Sequence, residues 1–241
     1  MKKILCTICM RKGSKGVKNK NLLKINNQYL MKYTIRQAIN SKIFDKIVIS
    51  SNSEKILNIS KKFNPNFLIK RSEKLSNDTA GKISVIQDAV AKSEKKFKYK
   101  FDYVCDLDVT APLRHINDIK KSYQQLLNEK LDMITSACIG RRNPFFNVVM
   151  LKNYNIIYAS NLKNKNFLRR QDAPKVFDLN ASIYFWKRDQ LMRLKNKTFC
   201  KKSSLYLMPF ERSIDIDTPS DLKILKLLMN RNERKYNHES R

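Results

Sequence analysis

The sequence predicts an α/β fold: an open, mostly parallel sheet wrapped by helices. Short apolar runs of strand type (KKILCTIC, DKIVIS, NFLIK, FDYVCDLDV, LDMITSACI) alternate with stretches whose apolar residues recur at helical spacing. The 241 residues are enough for one sizeable core. A hydrophobic content of 42% argues against wholesale disorder, although 29% of residues are charged.

Taken in order, KKILCTIC predicts a first strand that ends at the basic loop RKGSKGVKNKN, residues 11–21. In LMKYTIRQAINSKIF, residues Ile35, Ala38, Ile39 and Ile43 fall at helical spacing, and DKIVIS is a short strand of buried type. Asn52 or Ser53 caps a helix expected to reach about Phe63, and NFLIK follows as a strand. GKISVIQDAVAKSEKKF places Ile83, Ile86 and Val90 on one helical face. FDYVCDLDV and LDMITSACI then flank a helix over roughly 117–130. Between about 140 and 178 the alternation stops in a stretch rich in Asn, Arg and aromatics, which predicts an inserted β-arm. ASIYFW and SLYLM are strand-like again. Thr218, Pro219 and Asp221 supply an N-cap, a first-turn proline and a first-turn acid for a last helix bearing Leu222, Leu225, Leu228 and Met229. Residues 1–230 are expected to form a single domain, with 231–241 a polar, fraying tail.

Fifty Lys and Arg against 21 Asp and Glu give a formal charge of +29, which ordinarily points to nucleic acid or an anionic membrane. Here the cations are scattered through every segment, as a lysine- and asparagine-biased composition would scatter them. Neither aromatic–cation interleaving nor a base-reading motif is present, so neither nucleic acid nor a membrane is an expected partner. The acids are unevenly spread, however: none precedes Asp45, so the N-terminal part carries a one-signed field suited to a polyanion. Cys6, Cys9, Cys105, Cys138 and Cys200 lie mostly in apolar runs, an odd set that suits buried thiols in the cytoplasm. Cys6 and Cys9 are three apart on a strand and so point to opposite faces, which disfavours metal or redox chemistry.

Three constellations carry chemistry. The loop at 11–21 holds Gly13 and Gly16, which can turn backbone N–H groups toward an anion, together with Arg11, Lys15 and Lys20, which could neutralise a triphosphate. It matches neither a Walker A loop nor a G-x-G-x-x-G fingerprint, and Gly81-Lys82 fails the Walker pattern because Ile83 follows. Phosphate cradle and solvated surface both remain open for it. In SIDIDTPSDL, a strand would put Asp215 and Asp217 on one side, a hard oxygen site for Mg²⁺, unless Asp217 merely caps the following helix. In CDLDVTAPLR, Asp106 and Asp108 share a face in the same way. His115 reads as a helix start rather than a base. Together these point to nucleotidyl or phosphoryl transfer.

RKGSKGVKNKN, KRSEKLSNDTA, DVTAPLR, RRQDAPKVFDLNASIY and SIDIDTPSDL occur in the order seen in the acylneuraminate cytidylyltransferases, and the chain resembles that family over nearly its whole length. The resemblance implies a Rossmann-like nucleotidyltransferase fold with a small inserted β-arm for dimerisation. It also implies a cytoplasmic homodimer that couples CTP to a nonulosonic acid, a nine-carbon 2-keto sugar acid, with Mg²⁺ as cofactor, for cell-surface glycans. It assigns Arg11, Gly13, Ser14, Lys15, Gly16, Lys20 and Asn21 to the triphosphate, and Arg71, Asp78, Thr79 and Ala80 to the cytidine. Asp215 and Asp217 become the metal pair, with Arg11 and Lys20 beside them as catalytic residues. Asp108, Thr110, Arg142, Asn143, Arg170, Gln171, Asn180 and Tyr184 fall on the sugar side. Departures from the family pattern cluster on that side. Asp108 stands where a glutamine usually opens the motif, the stretch from Phe177 to Ala181 lacks an arginine, and RRNPFFN replaces a histidine- and lysine-bearing segment. They resemble the legionaminate branch more than the sialic acid enzymes. A catalytically inactive nucleotide-binding relative and a basic nucleic-acid-binding protein are the alternatives; the intact Arg11, Lys20, Asp215 and Asp217 speak against the first, and the missing reading motif against the second.

Overall fold

The structure, a computed structural model, describes residues 2–13, 16–77, 80–152, 155–158, 167, 169–195 and 197–238, with backbone alone at 152, 155–158, 170 and 231–238. Ser14, Lys15, Asp78 and Thr79 therefore lie outside the described residues.

β1 (Ile4–Met10) leads through the basic loop to a tight hairpin of β2 (Lys24–Ile25) and β3 (Gln28–Tyr29). Asn26 and Asn27 turn it at φ 51° and 57°, the left-handed pair that a two-residue hairpin demands and asparagine tolerates. α1 (Leu30–Ser41), β4 (Lys46–Ser51), α2 (Glu54–Lys61), β5 (Phe67–Lys70), α3 (Lys82–Phe97) and β6 (Tyr103–Leu107) then alternate. α4 (Ile116–Asn128) and β7 (Met133–Ile139) precede the hairpin of β8 (Val149–Lys152) and β9 (Asn155–Tyr158), which is followed by β10 (Phe177–Lys187). α5 (Arg188–Arg193), β11 (Ser203–Leu207) and α6 (Pro219–His238) complete the order.

Seven strands form one sheet in the order β11-β7-β10-β6-β1-β4-β5. β10 runs antiparallel to both of its neighbours, and every other pairing is parallel. The expected mostly parallel sheet is thus found. Alternation along β1 sorts the core into two layers: Ile4, Cys6 and Ile8 pack with Ile35 of α1, Ile56 of α2, Ile119 of α4 and Leu225 of α6. Leu5 points the other way, to Ile83, Ile86, Ala89 and Val90 of α3 and Leu191 of α5, and Cys9 packs on that side. Cys6 and Cys9 face opposite layers, as their spacing requires. Each fully buried Ile or Val in these layers contributes about 1.5–3 kcal/mol.

Caps set the helix starts. Ser53 accepts the Ile56 N–H at 3.4 Å, and α2 ends at Lys61, short of Phe63. His115 caps α4 through the Asn117 N–H at 3.2 Å, while Asp118 accepts the His115 N–H at 2.7 Å. That use of the imidazole bears out the reading of His115 as a helix start. Two expectations change. Residues 213–218 form no strand, because the Ile216 N–H goes to the Thr110 carbonyl at 3.1 Å rather than into a ladder. The backbone of α6 also runs on to His238, past the expected start of a polar tail at 231.

Asp118 is buried and also takes two bonds from Arg212, at 2.9 and 2.8 Å, and one from Tyr206 at 3.2 Å. Its removal strips a helix cap and leaves the Arg212 guanidinium without its partner. Because Arg212 is partly solvated, Asp118→Ala is expected to destabilise the fold by about 2–3 kcal/mol, below the figure for a fully buried pair. A urea midpoint that falls with an unchanged slope checks it.

Candidate active site

The cavity of interest lies beyond the carboxyl ends of β1, β4, β5 and β6, where open α/β sheets bind ligands. It encloses about 480 Å³ and is lined by Cys9, Arg11, Gly16, Lys20, Asn21, Arg71, Leu75, Asn77, Ala80, Lys82, Val85, Asp108, Thr110, Asp215 and Asp217. Residues from positions 9 to 217 converge here because β1 and β6 are sheet neighbours and the chain before α6 returns across their ends.

The basic loop is built for close approach. Gly13 sits at φ +85°, a left-handed conformation natural to glycine. A Cβ on Gly16 would collide with the carbonyl oxygen of Asp217, so this glycine lets the loop lie directly on the second acidic segment. Asn21, buried, donates to the Arg11 carbonyl at 3.0 Å and closes the loop on itself. Lys20 donates to the Ile216 carbonyl at 2.8 Å and pairs with the Asp217 carboxylate at 3.1 Å. Lys12 and Lys18 are exposed. Arg71, buried at the end of β5, donates through Nη2 to the Met10 and Ser50 carbonyls at 3.1 and 2.9 Å and through Nε to the Ser50 hydroxyl at 3.3 Å. It thereby ties the ends of β1 and β4 together. Nη1 takes no part in these bonds, which leaves donors of the guanidinium for the cavity.

The acids fall into two unlike groups. Asp106 and Asp108 share a face, as their spacing predicts, and are bridged by Lys82 at 3.1 and 3.3 Å. Burial disfavours charge on both Lys82 and Asp108. The mutual attraction outweighs it, so the Lys82 pKa rises and the Asp108 pKa falls, the latter helped by Thr110 hydrogen bonds. Asp215 and Asp217 reach the same cavity from an irregular segment rather than a strand. Asp217 does not cap α6: Thr218 does, as its sequence position predicts, its hydroxyl accepting the Asp221 N–H at 3.3 Å while the Asp221 carboxylate accepts the Thr218 N–H and hydroxyl at 2.7 and 2.8 Å. Asp215 Oδ1 is buried with no hydrogen-bond partner among the described residues. Burial pushes its pKa up, the Asp108 and Asp217 carboxylates add to this, and Thr110 and Lys20 oppose it.

No group of three or more His, Cys, Asp or Glu among the described residues could hold a metal alone. Two carboxylates, one with an orphaned oxygen, nonetheless fit a hard cation that completes its shell with water and phosphate oxygens, the usual habit of Mg²⁺. Asp215 and Asp217 are the residues that would hold it.

The other expected residues lie elsewhere. Arg142, Asn143 and Gln171 line a second cavity at the root of the inserted segment, between Ile139 and Val176. There Asn143 donates to the Pro174 carbonyl at 3.2 Å. Arg170 falls in a short 3-10 turn (Arg170–Asp172) described by its backbone alone. Asn180 is interior: it bonds the hydroxyls of Ser136 at 2.6 Å and Ser213 at 2.9 Å, which holds β10 against β7. Tyr184 is buried beneath the first cavity, stacked on Trp186 and 4.4 Å from the Lys82 ammonium. Lys82 was not among the expected site residues. Its sequence signal is a lysine in the first turn of a helix, where the macrodipole disfavours a cation.

A family model described as cytidylyltransferase matches residues 5–238. The chain belongs to the cytidylyltransferase family. It is thus a nucleotidyltransferase. Two relatives are each 43% identical over 229 residues, covering 95% of this chain and 96% of the relative. One is the post-translational flagellin modification protein B of Campylobacter coli, the other the CMP-N,N'-diacetyllegionaminic acid synthase of Campylobacter jejuni. The cytidylyltransferase fold also resembles a solved CMP:2-keto-3-deoxy-manno-octonic acid synthetase complexed with CTP. The TM-score is 0.69 at 15% identity, covering 95% of this chain and 99% of that one.

Gly16→Ala tests the loop contact. A methyl group aimed at the backbone of Asp217 forces the loop and the acidic segment apart, and backbone cannot yield as a side chain tip would. CTP affinity measured by calorimetry is expected to fall about tenfold or more, equivalent to roughly 1.4 kcal/mol. Gly13→Asn, which keeps access to positive φ, is expected to be milder.

Proposed function

We propose that this cytidylyltransferase couples CTP to a nine-carbon 2-keto sugar acid, legionaminic acid or a close relative, releasing pyrophosphate with the help of a divalent cation. The observation that carries this reading is the half-buried Asp215 carboxylate, which lines the cavity with the basic loop and has a buried oxygen with no partner among the described residues. Such an oxygen costs about 1–3 kcal/mol to bury, and a cation shared with a triphosphate would offset that. The 43% identity with the legionaminic-type relative over 95% of the chain supports the choice of sugar.

In the proposed reaction the anomeric hydroxyl of the sugar attacks the α-phosphorus of CTP and pyrophosphate leaves. Arg11 and Lys20 neutralise the charge that builds on the transferring and departing phosphates, with Lys15 beside them. Gly13 and Gly16 let backbone donors reach the same oxygens, to which the family resemblance also assigns Ser14. Arg71 and Ala80 flank the cytidine, to which the resemblance also assigns Asp78 and Thr79, and Asn21 keeps the loop folded. Asp108 and Thr110 form the wall between nucleotide and sugar, while Arg142, Asn143 and Gln171 take the sugar from the inserted segment, a role the family resemblance also assigns to Arg170. A cation at Asp215 and Asp217, when bound, supplies further neutralisation at the α-phosphate and acidifies the incoming hydroxyl. The assignment of a helix cap to His115 agrees with a reaction that uses no histidine base.

The same reading makes the protein a homodimer of the cytoplasm. Val149, Met150 and Leu151 of β8 and Ile139 at the end of β7 are exposed apolar residues around the inserted segment, which a second copy would cover. The five cysteines are all free thiols, as a reducing compartment keeps them. Among the described residues, no helix is long and apolar enough to cross a membrane.

Pyrophosphate release with CTP, Mg²⁺ and a panel of legionaminic, sialic, pseudaminic and 3-deoxy-octulosonic acids tests the reaction. The legionaminic acid is expected to give the highest kcat/KM, and silence with the whole panel would sink the proposal. Asp215→Asn should lower turnover by about two to three decades, the effect of losing one electrostatic stabiliser. Leu151→Lys should shift the sedimentation coefficient toward that of a monomer.

A further inference from the structure

The four carboxylates at the cavity differ in how their oxygens are occupied. Asp106 is buried and both of its oxygens are engaged, Oδ1 by the Thr7 hydroxyl at 2.8 Å and Oδ2 by the Lys82 ammonium at 3.1 Å. Asp108 is engaged in the same way. Its Oδ1 accepts the Thr110 N–H at 3.1 Å and the Thr110 hydroxyl at 2.9 Å, and its Oδ2 meets Lys82 at 3.3 Å. Asp215, by contrast, keeps an oxygen with no partner among the described residues, and the exposed Asp217 meets Lys20 through Oδ1 alone, at 3.1 Å.

Lys82 stands at an unfavourable position for a cation, the first residue of the 16-residue helix α3, where the helix dipole repels positive charge. Its side chain is only about one-third exposed and packs over the Tyr184 ring. What keeps it there is the pair of acids, two residues apart on one face of the strand end. Without the ammonium, that pair would be a hard oxygen site of the kind divalent cations take. It would also open on the same cavity as Asp215 and Asp217.

We propose that Lys82 is a built-in counter-cation that closes the Asp106 and Asp108 pair to divalent metal and so confines the metal to Asp215 and Asp217. The inference rests on the reading of Asp215 and Asp217 as the metal pair. Lys82 acts here as a positioning residue. A tethered ammonium compensates the inner acids before any ligand arrives and does not leave with the product. It also supplies a further cation, beside Arg11, Lys20 and Arg71, to a cavity meant for a polyanion.

Mn²⁺ alone, without nucleotide or sugar, is the probe, and bound ions are counted by electron paramagnetic resonance. In the otherwise unaltered protein, Asp108→Asn should leave Mn²⁺ binding unchanged and Asp215→Asn should abolish it. Lys82→Met should gain one further ion per chain, which is lost again when Asp108→Asn is added. Lys82→Arg should behave as the unaltered protein. The inference is overturned if folded Lys82→Met gains no ion. It is equally overturned if Asp108→Asn alone weakens binding, and this arm decides the matter should Lys82→Met fail to fold. If Asp215→Asn leaves the count unchanged, the metal reading of the proposed function fails, while the Lys82→Met arm still decides the role of Lys82.

Discussion

Lys20 joins two parts of the chain that are 196 positions apart, and the site depends on that junction. Its ammonium holds the Ile216 carbonyl at 2.8 Å and the Asp217 carboxylate at 3.1 Å. On the far side of the same segment, the Ile216 N–H is held by the Thr110 carbonyl at 3.1 Å. The acidic segment is therefore clamped between the loop after β1 and the loop after β6, with Gly16 allowing backbone to touch backbone. Because each clamp uses a main-chain atom of residue 216, neither takes up the Asp215 Oδ1, which keeps no partner among the described residues. A strand in this place would have spent those atoms on a ladder.

This explains what could and could not be read from the chain. Strands and helices were legible where local pattern and global fold agree, as in β1, α3 and β6, whose apolar residues face the layers that periodicity assigns. The pairing of Asp106 with Asp108 was legible because a strand has period two. The segment 213–218 was misread as a strand because its alternating apolar residues, Ile214 and Ile216, are indeed buried, yet their backbone partners are loops distant in sequence. Asn180 stood in a family motif on the sugar side, and its burial between Ser136 and Ser213 depends on tertiary neighbours that no local pattern encodes. Lys82 escaped for the same reason: its meaning lies in carboxylates 24 and 26 residues away.

The formal charge of +29 misleads as a guide to partners and informs as a guide to the site. Most lysines lie on solvent faces, where they are hydrated and screened. At the cavity the balance is much closer. Arg11, Lys20, Arg71 and Lys82 face Asp108, Asp215 and Asp217 across a space of about 480 Å³, with Asp106 directly behind Lys82. A polyanion entering there meets cations whose charges are already partly engaged, so the cavity is prepared for it without being held apart by repulsion among its own lysines.

The direction of β10 has one more consequence. Its first residues pair with the last residues of β7, Phe177 beside Ile139, and antiparallel neighbours can be joined without crossing the sheet. The chain thus leaves the sheet at the end of β7 and re-enters it beside that same end, at the start of β10. The length and composition of that excursion are free of topological constraint: residues can be added, removed or exchanged without re-threading any strand. The sheet order stays the same whatever this excursion carries, so it behaves as an exchangeable cassette on a fixed frame.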